Sequence, residues 1–77
     1  MSTLNLITIY EKPIDFPLLY VARRFEMEKP TNEVFSHEDL SVVRQWCRDR
    51  LRMMGQGWPM RMPRDDGDEK HILETWL

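Results

Sequence analysis

Seventy-seven residues make room for one domain with a small core, and a body of that size relies on tight packing, a crosslink, a metal or a partner. The single cysteine, Cys47, excludes an internal disulfide, and the two histidines, His37 and His71, lie far in sequence from any second thiol or imidazole at zinc spacing. A formal net charge of -2 excludes a global charge drive toward nucleic acid or an anionic membrane.

The first five residues lack the basic start and long apolar core of a signal peptide, and the longest apolar run is far too short to span a bilayer. A lone thiol suits a reducing compartment, so the expected location is the cytoplasm and no membrane is expected.

In chain order, Leu4 to Tyr10 is rich in β-formers and predicts a first strand. Pro13 and Pro17 break regular structure and predict a loop. Leu18 to Met27 predicts a second strand, closed by a break at Lys29-Pro30-Thr31-Asn32. Ser36 stands as a helix N-cap with Asp39 three residues on, and Phe35 and Leu40 stand where a hydrophobic staple would. Glu38 and Asp39 would then fall in the first turn, where the helix dipole favours negative charge.

The helix is expected to run to about Met54 and to stop at Gly55. Leu40, Val43, Cys47, Leu51 and Met54 form its apolar stripe, widened by Val42, Trp46 and Met53. A long irregular connection follows, with room for a short extended piece at Met60 to Met62. Lys70 to Leu77 predicts a third strand closing a complete, very small single domain over 1–77.

The expected class is α+β: a small three-stranded antiparallel or mixed sheet in β-β-α-β order, with one helix packed on one face. The preferred strand order is 2-1-3, the first strand in the centre. Neither of the first two strands alternates cleanly. Leu4, Leu6 and Tyr10 oppose Ile7 and Ile9, while Leu19, Val21, Phe25 and Met27 oppose Leu18, Tyr20 and Ala22.

One helix covers one face only, so apolar groups are left over. Covering about 500 Å2 of them would be worth roughly 12 kcal/mol in transfer terms, much of it offset by the cost of association. Either the Trp58-to-Pro63 segment folds over these groups or part of them is simply exposed, or they serve a protein interface; the interface is the expected use, most simply a homodimer by sheet packing or edge pairing, with Ile7, Ile9, Tyr20 and Trp58 as its residues. An unidentified protein partner is the other form of this expectation.

The chemistry-bearing candidates are few. Arg44, Arg48 and Arg52 recur every four residues along the helix and offer an alternative nucleic-acid or acidic-partner surface, weighed against a solvated or internally paired face. Arg23 and Arg24 point to opposite faces of the second strand. An arginine near Tyr or Phe on a sheet suits nucleotide stacking, while paired strand charges suit edge protection.

Asp65-Asp66-Gly67-Asp68-Glu69 lacks the alternation of a calcium loop and reads as a solvated turn. Cys47 falls on the buried stripe, Trp76 reads as core, and neither histidine has an evident catalytic partner. No catalytic residue, cofactor site or metal site is expected, and the chain is not expected to be an enzyme.

The stretch Met62-Pro63-Arg64, the acidic turn and the closing Ile72-Leu73-Glu74-Thr75-Trp76 resemble an ending shared by small uncharacterised bacterial proteins, some from prophage regions. Thr8-Ile9-Tyr10-Glu11 and the Val21-to-Phe25 segment are similar too. The resemblance implies a bacterial or phage origin and supplies no activity.

Overall fold

A computed structural model describes residues 4–14, 16–27, 29–55, 59–63 and 70–77. Among these residues the elements run β1 (Asn5–Glu11), β2 (Tyr20–Glu26), β3 (Lys29–His37), α1 (Leu40–Met53), β4 (Arg61–Pro63) and β5 (Ile72–Trp76). The class is α+β, with one helix and a five-stranded antiparallel sheet in the order β3-β2-β1-β5-β4. The first strand lies at the centre, and the closing strand pairs antiparallel to it, as the sequence suggests. The strand count differs from the expected three: β3 and β4 occupy the two edges.

β3 arises because β2 ends at Glu26 and the chain reverses at once. Glu26 pairs with Lys29, so β2 and β3 join in a tight hairpin. Met27 takes φ 56° there, and its N–H donates to the Leu4 carbonyl at 2.8 Å. Pro30 and Asn32 fit this strand because its outer edge needs no ladder donors. An irregularity between Arg23 and Phe25 shifts the register, from Arg23 opposite Val34 to Phe25 opposite Pro30.

The same pairing moves the helix start. Ser36 is held in β3 opposite Val21, and the N-cap is Asp39, whose carboxylate accepts from the Ser41 N–H at 2.9 Å and from the Ser41 hydroxyl at 2.8 Å. Glu38 and Asp39 therefore precede the helix, and its first turn holds no acidic residue. Arg50 and Arg52 stand in the last turn, beside the negative end of the dipole. Gly55 follows at φ 81°, donating to the Arg52 carbonyl at 3.0 Å.

Paired residues of an antiparallel sheet share a face, so the register sorts the side chains. Ile7, Ile9, Ala22 and Trp76 face the helix and pack against Val43, Cys47 and Leu51 to form the core. Tyr20, Phe35, Leu40, Trp46 and Leu73 close around it. Phe35 and Trp46 stack with ring centroids 5.1 Å apart. The buried stripe is narrower than the sequence suggests, since Val42 and Met53 are exposed. The Met60 N–H and carbonyl bond the Leu77 carbonyl and N–H, which extends the β4–β5 ladder beyond Arg61. No helix of the described residues is long and apolar enough to cross a membrane.

Candidate functional site

Two carboxylates organise the charge on the helix side of the sheet. Glu74, on β5, is 1 % exposed. It accepts from Arg44 Nε at 3.1 Å, Arg44 Nη2 at 2.8 Å and Trp76 Nε1 at 2.7 Å, with Arg61 at 3.6 Å. Burial pushes its pKa up as the largest single influence. The hydrogen bonds from Arg44 and Trp76 and the charges of Arg44 and Arg61 together outweigh it, and the carboxyl ends below its ordinary value.

Glu33, on β3, is clamped by Arg50 from the helix and by Arg24 from β2, the latter at 2.8 Å. The Arg50 hydrogen bond is the main reason that its pKa is also lowered. Arg24 adds bonds to Asn5 at 2.8 Å and Glu26 at 3.2 Å.

These clamps divide the expected arginine row. Arg44 is committed to Glu74, which raises its own pKa. Arg48 donates to Gln45 at 2.9 Å, and its guanidinium lies 5.9 Å from the centre of the Trp76 ring. Arg52 is exposed and lines, with Gln45, Arg48 and Pro59, a shallow recess of about 350 Å3. The row is thus tied to Glu74 at Arg44, while Arg48 and Arg52 are exposed.

The residues expected at a protein interface are placed differently. Ile7 and Ile9 are fully buried beneath α1, because the helix takes the odd-numbered side of β1. Tyr20 packs at the margin of the same core. Trp58 and the acidic turn lie outside the described residues. Cys47 is in the core, where burial, and behind it the Glu74 charge, pushes its thiol up to about 12. Among the described residues no group of three or more His, Cys, Asp or Glu could hold a metal ion.

The other face of the sheet carries Leu6, Thr8 and Tyr10 on β1, Val21, Arg23 and Phe25 on β2, Val34 on β3, Met62 on β4, and Ile72 and Thr75 on β5. Its centre is closed to solvent: Val21 is 1 % exposed and Thr8 9 %. Its margins are open, with Val34 and Met62 exposed. Among the described residues no helix lies on this side. Pro13 and Ile14, from the loop after β1, reach the rim of a recess of about 420 Å3 lined also by Tyr10, Arg23, Phe25 and His71.

Arg23 is the residue of this face that the sequence undervalues. Edge protection does not describe it, since β3 places β2 inside the sheet. The signal that could have found it was its position between Val21 and Phe25 on the apolar side of the strand. No family model, curated protein or solved structure matches the chain.

Proposed function

We propose that this chain is a non-enzymatic interaction module of the cytoplasm, and that a partner protein docks on the sheet face turned away from α1. The observation that carries this reading is an apolar face bearing Leu6, Phe25, Val34, Ile72 and Met62 with no described helix upon it. At about 3.3 Å per residue and about 4.8 Å between strands, the five strands present roughly 500 Å2, and covering it from both sides reaches the lower range of specific interfaces. A buried Cys47 with a raised pKa is a poor nucleophile, which supports the non-enzymatic reading. The commitment of Arg44 to Glu74 takes one of the three arginines out of the helical row and so weakens the case for a nucleic-acid role.

The test combines light scattering with co-purification from the native host. Light scattering reports whether a second copy is the partner, the form that the sequence suggests most simply. Val34→Asp and Met62→Asp are expected to abolish the association, whereas Arg48→Ala and Arg52→Ala leave it intact. The reverse pattern, with association lost steeply as salt rises, would assign the function to the helix surface and overturn this reading.

A further inference from the structure

We infer that the partner docking on the open face is a different protein, and that it presents an aspartate or glutamate carboxylate to Arg23. This rests on the docking reading above and adds the chemistry of the occupant. Arg23 sits on β2 with Thr8 and Val34 as its cross-strand neighbours and Val21 and Phe25 before and after it on the same side. It is half-buried and lines the recess with Phe25 and Tyr10.

Four other arginines, Arg24, Arg44, Arg50 and Arg61, each face a carboxylate, and Arg48 lies over Trp76. Arg23 has no such partner among the described residues. An occupant that seals this face removes the remaining water from a guanidinium. That step is unfavourable unless the occupant supplies an anion with hydrogen-bonding geometry. A planar carboxylate matches the guanidinium fork in a bidentate pair.

The described residues of the open face include no carboxylate of their own. Among the described residues, a second copy stacked on it by a two-fold axis would therefore bring another guanidinium and no anion. A polyanion is the poorer match, because phosphates ask for several cations and Arg23 is the one guanidinium that the described strand pairings put on this face. A local carboxylate set among apolar side chains fits instead: the acid meets Arg23 while its neighbours lie on Phe25 and Val34.

The test selects binders from a random-peptide display library on the immobilised full chain. Selected peptides are expected to carry Asp or Glu flanked by apolar residues. Changing that Glu to Gln in a synthetic copy should weaken binding by about ten-fold or more. Arg23→Gln should remove this discrimination, Arg23→Lys should keep part of it, and Val34→Asp should abolish binding altogether.

Peptides without acidic residues that bind Arg23→Gln as well as the parent, yet fail on Val34→Asp, would overturn the carboxylate inference and leave docking intact. The absence of selected peptides, or binding indifferent to both positions, would overturn docking as well. Displacement of the selected peptides by an oligouridine RNA would replace the acidic protein segment with a nucleic acid.

Discussion

Glu74 shows how one side chain ties the helix to the sheet. A carboxylate that is 1 % exposed is tolerated because Arg44 grips it with two donors and Trp76 gives it a third. Glu74→Ala leaves the Arg44 guanidinium and the indole N–H without their acceptor, and should lower stability by about 2–3 kcal/mol, read by urea denaturation at neutral pH. Glu74→Gln should cost less, because its amide oxygen still accepts from Trp76.

The pH dependence follows from the direction of the shift. A carboxyl whose folded pKa lies below its ordinary 4.5 contributes its full stability above that value and loses it as the pH falls through the lowered one. Glu33 acts in the same sense. Acid should therefore weaken the fold below about pH 4.5, and Glu74→Gln should flatten part of that decline; a parallel acid profile in the variant would rule out Glu74 as its source. Internal pairing of the helical arginine row was legible as one reading, but not its partner. The sequence shows an arginine row and a terminal strand, but not that Arg44 and Glu74, thirty residues apart, meet across the helix–sheet seam.

Among elements, β3 is the one that sequence pattern conceals. Its start resembles a break, with Lys29-Pro30-Thr31-Asn32, and its end resembles a helix entry, with Phe35 and Ser36. Both readings use local chemistry correctly and lose to pairing: the free side of β2 takes up residues 29–37, and an edge strand accepts Pro and Asn. The hairpin loop lacks the Asn-Gly signal that usually betrays such a turn, because Met27 adopts the left-handed conformation instead.

Met27→Asn should relieve that strain. The methionine is mostly exposed and gives up little packing, so a gain of about 0.5–1 kcal/mol is expected in urea denaturation. A variant less stable than the parent would show that the Met27 side chain matters more than its φ. At the helix entry, Asp39→Ala should lower the melting temperature while Asp39→Asn and Ser36→Ala leave it nearly unchanged. Equal losses at Ser36 and Asp39 would restore Ser36 as the cap. By contrast β1, β2 and β5 were readable as short runs of β-formers, and α1 by its helical period and the terminator Gly55.

At the scale of the whole molecule, the face count was readable and the face assignment was not. Strands apolar on both sides announce a sheet needing two covers, but which side the helix takes depends on register. The helix took Ile7 and Ile9 and left the side of Leu6, Phe25 and Arg23. That choice sets the conditions for self-association. Stacking two copies through the open face gains apolar contact at Phe25, Val34 and Met62 but desolvates a guanidinium in each copy.

Arg23→Leu removes this obstacle while leaving the Glu33 and Glu74 clamps untouched, since Arg23 takes part in neither. The parent chain should then scatter light as a monomer up to high micromolar concentration, and Arg23→Leu should shift toward a dimer over the same range. A parent chain that dimerises through the open face, with Arg23→Leu no tighter, would show that the guanidinium escapes to solvent at the rim and asks nothing of its partner. The same experiment on Val34→Asp separates face stacking from edge pairing. Val34 points out of the sheet plane, so an aspartate there blocks an occupant of the face, while the outward backbone groups of β3 stay available to another strand.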